Sequence, residues 1–405
     1  MNGDRLAIEG GTPYRKNFLV FGAPHVGEEE IAEVAATLRS GWLSTGPRTK
    51  RFEEAFRNYV GCRHALALNS CTAGLHLALD VLNIGAGDEV ITTPITFTAT
   101  ANVIVLRGAT PVFADVDPST MNVSPGEIEK SVTPRTKAII PVHFAGRPCE
   151  MDPILEIAAK NNLFVVEDAA HAVEASYRGR KVGDIGHVTS FSFYATKNLV
   201  TGEGGMATTA NEDWDAAMRV KSLHGLSRTA WKRYSSEGFQ SYDTLCPGYK
   251  YNMADIQAAM GIHQLARIEE NLNVRERHWR RYNDAFAGCG FLALPPEQPH
   301  VRHARHLYTP LLDVDALGVS RDRFVSALQA ENIGVGIHFT ALHLHSFYRE
   351  KFGFARGRFP NAEYVSDRTF SIPLSPALTD GDVEDVIGAV MKVLNHFARK
   401  RKGAR

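Results

Sequence analysis

Two short segments of this chain hold residue types that could do amine chemistry together. The first, Val165-Val166-Glu167-Asp168-Ala169-Ala170-His171-Ala172, is an apolar run that closes on an acid. The second, Ser190-Phe191-Ser192-Phe193-Tyr194-Ala195-Thr196-Lys197, alternates small hydroxyls with aromatics and ends in a lone lysine. An acid at the end of a buried strand keeps a heteroaromatic nitrogen protonated. A lysine at a nearby strand end supplies an amine nucleophile. The pair suits pyridoxal 5'-phosphate (PLP): Asp168 maintains the ring as an electron sink and Lys197 forms the Schiff base. Singly, each is an ordinary structural acid or surface lysine; the expectation rests on the pair.

A phosphate needs donors, and Asn69-Ser70-Cys71-Thr72-Ala73-Gly74 offers them where a strand gives way to a helix. First-turn N–H groups there face an anion, with Thr72 and the Ala73 amide as the expected donors. The segment lacks the glycine spacing and lysine of a Walker loop and is no G-x-G-x-x-G fingerprint. Read by itself, it is an ordinary N-cap. Phe97, just past Thr92-Thr93-Pro94, is placed to lie flat on a pyridine ring. His171 is expected at the cofactor's phenolic oxygen or at Asp168. Ser192 and Tyr194 stand two strand positions apart and so share a face, Ser192 toward the phosphate and Tyr194 toward the substrate. Gly202-Glu203-Gly204-Gly205 permits close backbone approach behind Lys197.

These residues need a scaffold that brings strand ends together. Residues 27–59 read as helical with a break at 41–47, a shaped loop holding two glycines and a proline. Beyond it, strands at about 64–69, 89–92, 111–114, 138–142 and 163–167 alternate with helices at about 72–82, 98–106, 125–132 and 151–161. Short apolar strands in this order predict an α/β fold: a mostly parallel sheet covered by helices on both faces. Ligands of such sheets bind outside the carboxyl ends of the strands. A long helix is expected from about 253 to 271, continuing toward 286, then an α+β region with a strand near 335–338. The division expected is a large cofactor-binding domain over 1–270, its N-terminal segment packing partly on the other domain, and a small C-terminal α+β domain over 271–405.

Composition narrows the class. The chain has 405 residues, 44% hydrophobic and 22% charged, with 45 basic and 45 acidic residues. It reads as a globular protein, and zero net charge gives no field for nucleic acid. Five scattered cysteines without C-x-x-C spacing point to a reducing compartment, without disulfide framework or metal site. No signal-peptide pattern and no run of about 18 apolar residues stands out, so a cytoplasmic protein without membrane span is expected.

The motifs together resemble a known family, the StrS/DegT-type sugar aminotransferases of PLP fold-type I. The matching segments are Ser44-Thr45-Gly46-Pro47, Ser70 to Gly74, Asp115-Val116-Asp117, Pro141 to Gly146, Glu167 to Ala172, Ser190 to Lys197 with Glu203-Gly204-Gly205, and Gly248-Tyr249-Lys250-Tyr251-Asn252-Met253. They run through nearly the whole chain. The likeness is strongest to the UDP-4-amino-4-deoxy-L-arabinose aminotransferases, including a segment around His224-Gly225-Leu226 and Trp231; those enzymes carry Trp where this chain has Phe97. The resemblance implies that Lys197 anchors the cofactor and shuttles the proton, that Asp168 pairs with the ring nitrogen, and that Phe97 stacks on the ring. It implies that Thr72, Ala73 and Ser192 hold the phosphate, while Asn252 reaches the phosphate of the neighbouring subunit in a homodimer with shared sites. Tyr194, His338 and Thr45 are the implied substrate contacts. The implied reaction moves an amino group from L-glutamate to a nucleotide-linked keto-sugar, with UDP as the nucleotide, for cell-surface polysaccharide, lipopolysaccharide or natural-product synthesis. Relatives that dehydrate sugars carry His in place of the lysine; a PLP-dependent sugar dehydratase, an inosose-type transaminase and a non-catalytic sugar-nucleotide sensor are the other readings.

Overall fold

The structure is a computed structural model that describes residues 5–227 and 243–403; Trp231 lies outside them. Its centre is a seven-stranded sheet built from β1 (His64–Leu68), β2 (Glu89–Thr92), β3 (Thr110–Phe113), β4 (Thr136–Ile140), β5 (Phe164–Asp168), β8 (Val188–Ser192) and β9 (Gly205–Thr209), in the order β1-β9-β8-β5-β4-β2-β3. Between β5 and β8 the chain makes a small hairpin, β6 (Ser176–Tyr177) and β7 (Arg180–Lys181). The pairs β3–β2, β2–β4, β4–β5 and β5–β8 are parallel, and β9 runs antiparallel to both its neighbours. This is the mostly parallel sheet covered by helices that the sequence predicts.

Strand pleating sorts the side chains into two layers. Val90, Ala138, Ile140, Val166 and Val188 face α3 (Cys71–Val81) and α4 (Thr98–Leu106) in one buried cluster. Ile91, Ile139, Val165, Phe191 and Met206 face the other way, against α2 (Pro47–Val60), α6 (Met151–Asn161) and α8 (Asp255–Ala266). Because both faces are covered, the strands read as continuous apolar runs.

Two polar devices fix the edge of this body. The Asp255 carboxylate accepts from the amides of Gly46 (2.7 Å), Thr49 (2.9 Å) and Arg48 (3.0 Å) and from Thr49 Oγ1 (2.7 Å). It thereby satisfies the first turn of α2, where no intrahelical acceptor exists. Along the outer side of β1, Ala67 N donates to Glu53 Oε1 (2.8 Å) and Asn69 N to Tyr251 O (2.7 Å).

The second body gathers α9 (Ile268–Phe286), α11 (Arg321–Ala330) and α14 (Asp380–Gly403) around Trp279, Tyr282, Phe324, Leu328, Val386 and Val390. Leu6 is buried in the same cluster, and Glu331 holds the chain start by accepting from Ala7 N (2.9 Å) and Tyr14 N (2.7 Å). Ile95, Phe113 and Phe144 meet Leu307, Tyr348 and Phe359 in a further apolar cluster.

Four expectations need correction. The helix expected over 253–286 is two helices, because Arg267 leaves helical geometry (φ −109°, ψ 14°) between α8 and α9. No strand forms over 335–338; Gly336 makes only an isolated bridge to Ser371, and side-chain contacts hold the rest. The fourth strand is Thr136–Ile140 rather than 138–142. Ser192 ends β8, so Tyr194 lies beyond the strand and alternation does not place it.

Candidate active site

Asp168 is the last residue of β5 and is 5% exposed. Its backbone is fixed by Asp168 N donating to Pro141 O (2.9 Å) and His143 N donating to Asp168 O (3.1 Å). Its carboxylate is aimed by three groups. Thr100 Oγ1 donates to Oδ2 (2.7 Å), Ala170 N donates to Oδ1 (3.1 Å), and the Cys71 thiol lies 3.9 Å from Oδ1. Thr100 also meets Thr96 Oγ1 at 2.7 Å; since Thr100 spends its proton on Asp168, Thr96 is the donor there. Burial raises the Asp168 pKa, opposed by Thr100, the Ala170 amide and the field of Lys197. Among the described residues no cation pairs with this buried carboxylate, which suits it to a protonated ring nitrogen.

Its neighbour Glu167 points to the other layer and is wholly buried. It accepts from Gly186 N (2.7 Å) and Thr189 Oγ1 (2.7 Å), and lies 2.9 Å from His143 Nε2. Cys149 N donates to His143 Nδ1 (3.0 Å), so Nε2 carries the hydrogen that goes to Glu167. Burial pushes Glu167 up, but His143, Thr189 and Gly186 outweigh it and its pKa falls. The Glu167–Asp168 pair thus splits into a structural acid and an acid facing the site.

The start of α3 is pinned to the sheet beside Asp168. Ser190 Oγ donates to Cys71 O (2.9 Å), and Cys71 Sγ lies 3.4 Å from Ser190 O. On β9, Gly205 is paired with Ser192 and with Leu68. A Cβ there would lie 2.4 Å from Ser70 C and 2.5 Å from Cys71 N. Gly205 thus lets the α3 N-terminus rest on the sheet, next to Ser192. Thr72 is exposed at this terminus. The Ala73 amide, expected to face a phosphate, instead donates to Ser70 Oγ (3.1 Å), the helix's own N-cap. Cys71 and Thr72 amides remain as first-turn donors without an intrahelical acceptor.

Lys197 sits in the turn after β8, with Lys197 N donating to Tyr194 O (2.9 Å). Burial pushes its amine down to about 8, opposed by the Cys71 thiol and Asp168. Its field in turn acts on His171, His306 and His338, so these side chains converge on one place. Asn198 next to it is braced: its Nδ2 donates to Glu174 Oε2 (2.9 Å) and Ala304 O (2.8 Å), and its Oδ1 accepts from His306 Nδ1 (3.0 Å). Glu174 also pairs with the buried Arg275 of α9. None of these braces was anticipated from the sequence. Their one sequence signal is Glu174, an acid following the apolar Ala172-Val173.

His171 is buried, and Ala145 N donates to its Nδ1 (3.2 Å), leaving the ring hydrogen on Nε2. Its ring lies 4.5 Å from that of His306 and 6.2 Å from that of Phe339. Burial, Lys197 and His306 hold it well below its usual range and therefore neutral. His338 is pushed down to about 4 by burial and then Lys197; its Nδ1 meets Ser371 Oγ at 2.8 Å and its ring stacks on Phe21. Phe97, at the N-cap of α4, is 63% exposed with its ring 6.3 Å from Phe339. Ser192 is buried, its Oγ accepting from Tyr194 N (3.4 Å), and Tyr194 is exposed. Asn252 and Thr45 stand apart from this group, at the β1 edge. Asn252 bridges to Leu68, its Nδ2 donates to Thr45 Oγ1 (2.6 Å), and its Oδ1 accepts from Lys250 Nζ (2.6 Å).

The model of the DegT/DnrJ/EryC1/StrS aminotransferase family matches residues 24–391. The chain belongs to this family. It is therefore an aminotransferase. Among DegT/StrS-type relatives, the spore coat polysaccharide biosynthesis protein SpsC of Bacillus subtilis is 51% identical over 381 residues, covering 94% of this chain and 98% of SpsC. The uncharacterized protein MJ1066 of Methanocaldococcus jannaschii is 55% identical over 381 residues, with 94% and 99% coverage. The aminotransferase Spr1654 of Streptococcus pneumoniae, solved in a PLP form, superposes with a TM-score of 0.87 at 34% identity, over 94% of this chain and 99% of that one. PLP is the family's cofactor. The site fits it: a buried acid for the ring nitrogen, a lysine of lowered pKa, and a helix N-terminus between them for the phosphate. No helix among the described residues is long and apolar enough to cross a membrane.

Proposed function

We propose that this aminotransferase moves an amino group from L-glutamate to a nucleotide-linked keto-sugar, UDP being the expected nucleotide, in the synthesis of a polysaccharide. The observation that carries the chemistry is Lys197 held at about 8 beside the buried Asp168. The B. subtilis relative named for spore coat polysaccharide synthesis supports the sugar pathway. So does Helicobacter pylori PseC, an aminotransferase of pseudoaminic acid biosynthesis with a TM-score of 0.87 and 27% identity.

Bound PLP supplies an electron sink next to the carbon that loses its proton. The chain's own residues do the rest. Asp168, oriented by Thr100 and the Ala170 amide, holds the ring N–H. Thr72, Ser192 and the first amides of α3 hold the phosphate. His171, neutral with hydrogen on Nε2, donates toward the ring's phenolic oxygen. Phe97 covers the ring. Lys197 Nζ, whose lowered pKa lets more of it exist as a free amine near neutral pH, would take the proton from the amino donor's α-carbon and hold it for return within the site once the cofactor is bound. In the second half reaction it moves a proton the other way. Tyr194, His338 and Thr45 are the proposed substrate contacts. Asn252 bonds within its own chain at the β1 edge, and we assign its further reach to the phosphate of a second subunit in a homodimer.

The test is a screen of UDP-, GDP- and dTDP-linked 3- and 4-keto-sugars with glutamate, following 2-oxoglutarate and the mass of the amino sugar nucleotide. Release of 2-oxoglutarate with glutamate alone in a single turnover, but no amino sugar from any nucleotide, would retire the nucleotide-sugar reading. Turnover of a free inosose would replace it.

A further inference from the structure

Ala145 holds a left-handed backbone conformation, φ 57° and ψ 6°. There the Cβ of an L-residue lies too close to the following carbonyl oxygen, so the conformation persists only where its surroundings impose it. Here they do. Gly146 N donates to His143 O (3.1 Å) and Arg147 N to Phe144 O (2.9 Å), closing the turn, while Ala145 O accepts from His306 N (3.1 Å) and Leu307 N (3.3 Å). At Gly146 a Cβ would lie 2.8 Å from His171 O, so the turn rests directly on the backbone of that histidine. The left-handed residue gives the turn a direction: it aims the Ala145 N–H at Nδ1 of His171 (3.2 Å), in a buried contact.

One distant side chain grips this turn. Asn122 is buried. Its Oδ1 accepts from Phe144 N (3.0 Å), and its Nδ2 donates to Arg147 O (3.1 Å) and Pro148 O (3.0 Å). All three partners are backbone atoms whose roles are fixed, so the carboxamide has a single orientation, with both N–H groups and the oxygen in use. The bonds fall on either side of Ala145. Asn122 is itself anchored through Asp117 N, which donates to Asn122 O (2.9 Å).

We propose that Asn122 is a positioning residue for amino transfer: by gripping the turn on both sides of Ala145 it keeps the Ala145 amide on His171 Nδ1, and so holds the histidine with its hydrogen on Nε2. A peptide N–H facing Nδ1 excludes a hydrogen there, because two donors would meet. Asn122 acts through the turn and not by contact with the reacting groups. The use of Nε2–H at the cofactor's phenolic oxygen rests on the proposed function; the tautomer itself depends on no substrate.

The test reads that tautomer in the holoenzyme. The enzyme is grown with nitrogen-labelled histidine, the ring nitrogens are followed by NMR, and His171 is assigned by the signals missing from His171→Gln. Wild type should carry hydrogen on Nε2 alone; hydrogen on Nδ1 overturns the proposal. Asn122→Ala deletes all three bonds to the turn. Nδ1-bound hydrogen should then appear at His171, and the pH midpoint of the cofactor's visible absorbance should move up as the phenolic oxygen loses its donor. Ala145→Gly removes the side chain that makes the left-handed turn costly. Added to Asn122→Ala, it should move the tautomer back toward Nε2, which a general loss of packing would not do. A folded Asn122→Ala enzyme with the wild-type tautomer overturns the proposal, as does a double variant without recovery. A shifted tautomer with an unmoved absorbance midpoint overturns it too, by removing the phenolic oxygen from His171. Should Asn122→Ala not fold, Asn122→Asp is read in its place by the same criteria, since it keeps the acceptor for Phe144 N and loses both donors. No keto-sugar enters these measurements, so their outcome is separate from that of the substrate screen.

Discussion

Thr100→Val removes one hydroxyl and almost no volume, and its effect can be worked from the geometry around Asp168. Oδ2 of Asp168 receives its hydrogen bond from Thr100 at 2.7 Å, whereas Oδ1 has the Ala170 amide and the Cys71 thiol. A hydrogen bond to a charged group contributes about 1.5–3 kcal/mol. Its loss raises the Asp168 pKa further, in the same direction as burial already pushes it. A carboxyl that binds its proton more tightly is a poorer partner for a protonated ring nitrogen. The expected outcome is a fall in kcat of about 10- to 150-fold, weaker cofactor binding, and a shifted pH titration of the cofactor's visible absorbance. Thr100→Ser keeps the donor and should stay near wild type. The hydroxyl of Thr96 loses its acceptor in the Val variant, so some loss of thermal stability is also expected and is measured separately. If Thr100→Val matches Thr100→Ser in kcat, cofactor affinity and absorbance titration, the carboxylate is not oriented through Thr100 and the reasoning fails.

Other outcomes follow from the same site. Lys197→Ala should abolish 2-oxoglutarate formation while leaving the fold and phosphate-dependent cofactor retention intact; near-wild-type turnover would remove Lys197 from its role. With its pKa at about 8 instead of 10.5, the Lys197 amine is neutral about 300 times more often at pH 7, so capture of PLP by the apoenzyme should rise with pH to a midpoint near 8, read by stopped-flow absorbance. A midpoint near 10.5 would contradict the burial of this amine. Gly205→Ala places a methyl 2.4 Å from Ser70 C and should cost about 1–3 kcal/mol of stability together with phosphate affinity, measured by denaturant unfolding and PLP titration; a neutral substitution would mean the α3 terminus yields freely. Inactive Lys197→Ala and Asn252→Asp chains, mixed and refolded together, should regain activity in mixed dimers, and no recovery from folded mixtures would argue against a shared site.

The parts of this site legible in the sequence are those written in short contiguous stretches. Glu167-Asp168-Ala169-Ala170-His171 and the lysine after a strand carry their chemistry locally, and the apolar runs of β2, β4 and β5 mark the buried parallel sheet. What was not legible depends on contacts between distant residues. Thr100 meets Asp168 only because α4 and β5 emerge at the same end of the sheet. The Ser70 cap takes the Ala73 amide, a competition between two acceptors for one donor that spacing does not resolve. Strand β9 passed unnoticed because its Thr208-Thr209 end reads as polar, and its glycine serves the close approach of α3. The segment at 335–338 has strand-like residues but, apart from the bridge at Gly336, no sheet edge to pair with. Arg267 breaks the long helix without any glycine or proline to announce it.

The outer rim of β1 has a consequence for how copies of this chain can meet. A strand at the margin of a seven-stranded sheet ordinarily offers free amides to any extended peptide that drifts past. Here the Ala67 amide is spent on the Glu53 carboxylate, and the Asn69 amide on the carbonyl of Tyr251. Another molecule therefore cannot extend the sheet there by backbone pairing without first displacing a side chain and a loop of the host. Association along this margin is confined to side-chain recognition, which is specific and finite, and the open-ended stacking that leads to fibres is blocked at its first step.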